Sequence, residues 1–135
     1  MLMEIKARSI SRGKASGEVL ITEEPLGFLG GVDPNTGEII EPWHPLKGKN
    51  IAGKILVFPH GKGSTVGSYV MLQLAKNKKS PAAIINVSAE PIITVGAIIS
   101  KIPMVDKPDT DIYKILKEGQ KIEVDADNGI IRTEG

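Results

Sequence analysis

Cysteine is absent from this 135-residue chain, which excludes disulfides, thiolate zinc sites and any iron-sulfur cluster ligated by the chain's own thiolates. Aromatic residues are scarce at 4%, too few for the rows of rings on which nucleic-acid bases stack. Charge of one sign is lacking as well. With 17 Lys and Arg against 16 Asp and Glu, a formal charge of +1 gives no field strong enough to hold a phosphate backbone or an anionic lipid surface. Apolar runs such as Ile92 to Ile99 are far too short to span a bilayer. Met1-Leu2-Met3-Glu4-Ile5-Lys6 has neither the basic flank nor the apolar block of a secretory leader, so a cytoplasmic location is expected. Against these absences stand 41% hydrophobic residues, in a chain long enough to remove roughly two thirds of its unfolded surface from water. One domain over residues 1–135 is expected.

Glycine and proline are dense from Pro25 to Lys49, yet the segment also carries Leu26, Phe28, Leu29, Val32, Ile39, Ile40 and Trp43. Those residues need something to pack against, so the segment reads as a long ordered loop rather than a linker. Asp33-Pro34-Asn35-Thr36-Gly37 is a turn sequence leading into a short strand at Ile39-Ile40, and Trp43-His44 between Pro42 and Pro45 reads as a rigid packed corner. Before the loop, Glu4 to Ile10 and Glu18 to Ile21 resemble the arms of a hairpin around Gly13 to Gly17. Ile51 to Phe58 and Ala82 to Val87 read as strands covered on both faces. Val66, Tyr69, Val70 and Leu74 predict a helix over Ser64 to Lys76, with Lys76, Lys78 and Lys79 at its negative end. Pro91 to Ser100 reads as a buried helix behind Ser88 or Glu90, and Ile102 to Val105 as a brief strand. Asp109 or Thr110 can cap a helix that ends at Gly119. Lys121 to Asp125 and Ile130 to Thr133 form a closing hairpin around Asp127-Asn128-Gly129.

Chemistry concentrates in Pro59-His60-Gly61-Lys62-Gly63-Ser64-Thr65-Val66-Gly67-Ser68, which joins a strand to a helix. Glycines there let a ligand reach backbone N–H groups at the helix's positive end; Ser64, Thr65 and Ser68 offer hydroxyls and Lys62 a full charge. The same residues also serve a purely structural reading in which Gly turns the chain, Ser64 caps the helix and Lys62 is solvated. A Walker A loop is absent because Gly63 follows Lys62, and Gly61-x-Gly63-x-x-x-Gly67 misses the dinucleotide spacing by one residue. His44 and His60 are the only imidazoles and form no helical two-histidine pair. A serine at a helix start is a weak base without stabilised charge or a partner base, which points to half of a site completed by another polypeptide.

Gly30-Gly31-Val32-Asp33-Pro34-Asn35-Thr36-Gly37, His44-Pro45-Leu46-Lys47-Gly48, Gly61 to Ser68 and Pro81-Ala82-Ala83-Ile84-Ile85 follow one another in this order over nearly the whole chain. Together they resemble the small subunit of the aconitase X group. The resemblance implies an α/β fold, a swivelling β/β/α domain with a mixed sheet or barrel-like strands and short helices. It implies closure over a large dehydratase subunit that holds an iron-sulfur cluster on its own cysteines, with no metal on this chain. In such hydro-lyases the cluster's open iron acts on the substrate hydroxyl while a swivel-domain serine removes the neighbouring proton. By match to the motif that serine is Ser64, and Gly61, Lys62, Gly63, Thr65 and Ser68 would hold an anionic part of the substrate. Lys62 stands where many relatives have arginine, which keeps the charge and loses the bidentate fork. Asp33 and His44 match family motifs without an assigned chemistry. A free-standing chain of this kind resembles the archaeal members that act on phosphomevalonate, so (R)-5-phosphomevalonate would lose water to give trans-anhydromevalonate 5-phosphate on the modified mevalonate route to isoprenoids. The alternatives are a subunit for another hydroxy acid of the group, a stand-alone anion-binding module, and a carrier phosphorylated on His60.

Overall fold

Three short apolar runs with alternating outlook form the middle of the molecule. In a computed structural model that describes residues 2–134, the elements in chain order are β1 (Leu2–Lys6), β2 (Arg8–Ser11), β3 (Lys14–Ile21), β4 (Ile55–Phe58), α1 (Gly67–Lys76), β5 (Ala83–Asn86), α2 (Pro91–Ser100), β6 (Met104–Asp106), α3 (Ile112–Ile115), β7 (Lys121–Asp125) and β8 (Ile130–Glu134). Met1 and Gly135, the ends of the domain expected from the sequence, lie outside the described residues. Every residue of β4, β5 and β6 is buried. Ile55, Val57, Ala83, Ile85 and Val105 join one core with Val19, Ile122, Val124 and Ile131. Leu56, Phe58, Ile84 and Met104 face a second core with Val70, Met71 and Leu74 of α1 and Ile93 and Ala97 of α2. Strands covered on both faces keep polar residues to their ends, here Asn86 and Asp106, which is why the apolar runs are continuous rather than alternating.

The eight strands follow the order β1-β8-β7-β3-β4-β5-β6-β2. β3 does double duty: Lys14–Glu18 pair antiparallel with β7, and Val19–Ile21 pair parallel with β4. From β3 through β6 the sheet is parallel, and β1, β8 and β7 form an antiparallel layer. The two outermost strands, β1 and β2, are separated in sequence by Ala7 alone, so the sheet must curl until its ends meet. The result is antiparallel layer, parallel layer and helices, a β/β/α sandwich with barrel-like closure, as expected. Among the described residues no helix is long and apolar enough to cross a membrane.

Several local expectations are corrected. The amino-terminal strands do not pair with β3; β1 pairs with β8 and β2 with β6, because the turn at Gly13 only reverses the chain while distant strands supply the partners. β4 starts at Ile55 rather than Ile51, since Ile51 N–H is spent on Gly37 O at 2.9 Å. Ile39 forms only an isolated bridge to Val32. α1 starts at Gly67, and its N-cap Val66 has no capping side chain. α3 is one turn, capped by Asp111 rather than Asp109 or Thr110. Glu90 caps α2, with Pro91 in the first turn. The long 25–49 loop is ordered around buried Leu26, Phe28, Val32, Ile39 and Leu46.

Candidate active site

The loops after β3, β4 and β5 meet at the carboxyl ends of their parallel strands, the end at which open sheets carry ligand crevices. The middle loop, 59–66, is pinned at its base. Pro59 O accepts from the N–H groups of Val87 and Ser88 at 3.0 and 3.2 Å, and His60 O accepts from Leu26 N–H at 3.4 Å. Gly61 is buried, bridged to Leu26, and packed so closely on Ile93 and the Glu90 carboxylate that a methyl group there would overlap both. Glycine is required at 61 by space.

Beyond that point Lys62, Gly63, Ser64, Thr65 and Val66 are exposed, with Gly63 at φ 89°. Among the described residues the N–H groups of Gly63, Ser64 and Thr65 donate to nothing. The next ones turn inward, Gly67 N–H to Ser64 O at 2.9 Å and Ser68 N–H to Thr65 O at 3.2 Å, and α1 begins. Successive free N–H groups at the positive end of a helix form a nest for an anion. Ser64 Oγ accepts from Val66 N–H at 3.1 Å, a donor that favours the alkoxide over the alcohol. Lys62 Nζ lies 2.8 Å from Glu41 Oε2. The loop is flanked by a polar cleft of about 380 Å³ between Lys62 and the 41–45 turn, and by an apolar groove of about 600 Å³ between α1 and α2.

The structure thus brings Gly61, Lys62, Gly63, Ser64 and Thr65 together and sends other expected residues elsewhere. Ser68 is buried, and its hydroxyl donates to Ile92 O at 2.6 Å, tying α1 to α2. Asp33 closes its own turn, accepting from Asn35 N–H at 2.9 Å. His44 is buried with both ring nitrogens engaged: Nδ1 accepts from Leu46 N–H at 3.0 Å, so Nε2 carries the proton given to Pro25 O at 3.2 Å. All three side chains are engaged in hydrogen bonds within the fold. The packed corner is packed only at His44, because Trp43 is 98% exposed at φ 66°. His60 is exposed and donates Nδ1–H to Gly61 O at 2.8 Å. Glu41 carries no signal in the sequence; its contact to Lys62 spans a long loop, and only Gly27 and Gly31 beneath it hint at a close approach.

A family model described as the aconitase X swivel domain matches residues 4–133 of this chain. A protein of Methanothermobacter thermautotrophicus named phosphomevalonate dehydratase small subunit is 58% identical over 96% of this chain and 99% of its own length. One of that name from Methanosarcina mazei is 59% identical over 96% of this chain and 90% of its own. Among solved structures, the crystal structure of Thermococcus kodakaraensis aconitase X in its holo-form superposes with a TM-score of 0.93 at 53% identity, covering 98% of this chain and 99% of that one.

Proposed function

The chain belongs to the aconitase X swivel domain family, and from that premise we propose that it is the small subunit of a two-chain hydro-lyase converting (R)-5-phosphomevalonate to trans-anhydromevalonate 5-phosphate, with Ser64 as the proton-abstracting group. The observation that carries the assignment to this loop is the exposed Ser64, whose hydroxyl accepts from Val66 N–H, in a stretch Gly63–Thr65 whose N–H groups donate to nothing among the described residues. In the reaction a hydroxyl leaves one carbon, a proton leaves its neighbour, and the electron pair of the broken C–H bond becomes the new double bond. An alcohol is too weak a base for such a proton unless its anion is stabilised. Val66 N–H supplies one donor to that oxygen, and the helix start adds positive potential. Lys62 and the free amides bind an anionic end of the substrate.

The family points to an iron-sulfur enzyme, and this chain's donor set does not suit a cluster. It has no cysteine, His44 has no free nitrogen, and among the described residues no group of three His, Asp or Glu side chains gathers. We propose that a large partner subunit holds the cluster, while this chain contributes the proton-abstracting hydroxyl and the anion-binding amides and ammonium.

The test is anaerobic co-expression with a large-subunit chain, purification of the complex and assay of 5-phosphomevalonate dehydration with each chain omitted in turn. Activity is expected only with both. In the complex, Ser64→Ala should lower turnover at least about 100-fold, the usual range for a lost general base, while subunit association is unchanged. Turnover near wild type would remove Ser64 from the mechanism; an intact complex that ignores phosphomevalonate would reject the substrate.

A further inference from the structure

Glu41 ties the start of the long 25–49 loop to Lys62 of the loop that carries Ser64. One carboxylate oxygen, Oε1, accepts from Gly27 N–H at 3.3 Å and the other, Oε2, holds Lys62 Nζ at 2.8 Å. The Lys62 stem lies against Gly27, where a side chain would meet Lys62 O at 3.1 Å and Lys62 Cγ at 3.5 Å. Gly31 lies beneath the carboxylate, and a Cβ there would meet Gly27 O and reach within 3.1 Å of Glu41 Oε1. The ammonium is therefore fixed by a mostly buried carboxylate above a glycine-lined turn, while the lysine itself is about half exposed.

We propose that Glu41 is a positioning residue: it holds the Lys62 ammonium at the cleft between Lys62 and the 41–45 turn, on the loop that carries the Gly63–Thr65 amides, so that the cation is already in place when an anionic substrate group arrives. The inference rests on the functional reading above and deepens it, since it assigns Glu41 to substrate binding and not to proton removal. Two opposing effects follow from removing its charge. A freed Lys62 must be ordered again at each binding event, which weakens binding, because a lysine stem carries large rotamer entropy. Loss of a nearby negative charge strengthens anion binding. The first prevails, because both carboxylate oxygens are turned to their donors, Gly27 N–H and Lys62, and the ammonium retains donors for the incoming anion.

The test uses the assembled two-chain enzyme with 5-phosphomevalonate as the varied substrate. Glu41→Gln, which keeps the acceptor for Gly27 N–H, should raise KM about tenfold and leave kcat within about threefold. In a Lys62→Gln background the same change should alter KM by less than about twofold, because its effect passes through Lys62. Glu41→Asp, one methylene shorter, should give an intermediate KM. A lowered KM, a fall in kcat at constant KM, or a KM increase of the same size on top of Lys62→Gln would each overturn the proposal. If Ser64→Ala keeps turnover, the mechanistic reading fails while the Glu41 result still stands or falls on KM. If the wild-type complex does not turn over 5-phosphomevalonate, the functional reading fails, and the same four-variant cycle on the melting temperature of the full chain decides the pairing: additive shifts overturn it.

Discussion

Replacing Gly61 with alanine adds a single methyl group where the β4–α1 loop crosses the start of α2. That methyl has no room. It overlaps Ile93 Cγ1 and Glu90 Oε1, and Ile93 Cδ1 is only 2.9 Å from its position. Ile93 is fully buried and cannot swing away. Gly61 does not occupy the left-handed region of backbone space, so the cost is steric and not conformational. Overpacking of this kind costs about 1–3 kcal/mol. Pushing Glu90 off the N–H groups of Ile92 and Ile93, which it holds at 2.9 and 2.7 Å, removes the helix cap and costs about 1 kcal/mol more. The sum, roughly 2–4 kcal/mol, corresponds to a drop in melting temperature on the order of 10 °C for a chain of this size. Gly63→Ala is the matched control. Nothing lies within 4 Å of a Cβ at Gly63, but its φ is 89°, so it incurs only the backbone cost of about 1 kcal/mol. Thermal melts and urea titrations of the full chain carrying each change decide the matter. Gly61→Ala melting within about 3 °C of wild type, or no lower than Gly63→Ala, refutes the steric argument.

Ser68→Ala should cost about 1 kcal/mol by removing the hydroxyl's bond to Ile92 O, whereas Thr65→Val, which removes an exposed hydroxyl with no partner among the described residues, should stay within about 0.5 kcal/mol; urea titration separates the two. Asp125 is held below its ordinary carboxylate pKa, first by the side-chain N–H of Asn128 and then by that residue's backbone N–H, Lys14 and Arg132, against the opposing effect of burial. A depressed folded-state pKa contributes stability above the unfolded value, near 3.8, and that contribution fades as pH falls through the folded value. Asn128→Ala should therefore lower the melting temperature at pH 7, with the gap to wild type closing below about pH 4; a gap that stays constant to pH 2 would contradict this. Trp43, the chain's one tryptophan, should emit as a water-exposed indole and be quenched by iodide. Loss of quenching on assembly with the large subunit would put the 41–45 turn in the interface, and unchanged quenching would put the interface elsewhere.

Much of the site is legible in the sequence because it is local. The spacing of Gly61, Lys62, Gly63, Ser64 and Thr65 behind a buried strand is a backbone property, and the free amides follow from it. Spacing alone misplaces Ser68: one helical step past Gly67 its hydroxyl points to Ile92 of a neighbouring helix, a contact no local pattern reveals. His44 and Asp33 are equally chemical as residue types, yet each closes hydrogen bonds within its own loop. Trp43 and His44 are adjacent in sequence, and a positive φ at Trp43 sends one outward while the other is buried.

By itself the sequence determined the class of fold, through continuous apolar runs that only a strand covered on both faces can accommodate. It also set the start of α2, through Pro91 behind Ser88 or Glu90, of which the structure takes Glu90, and the closing hairpin through Asp127-Asn128-Gly129. Those features depend on torsions and hydrogen bonds within a few residues. The tertiary structure decided the rest: which strand β1 and β2 join, how β3 divides between two layers, and that Glu41 reaches Lys62. Each of these is a contact between residues distant in the chain, whose free energy comes from burial and charge pairing that local sequence does not encode.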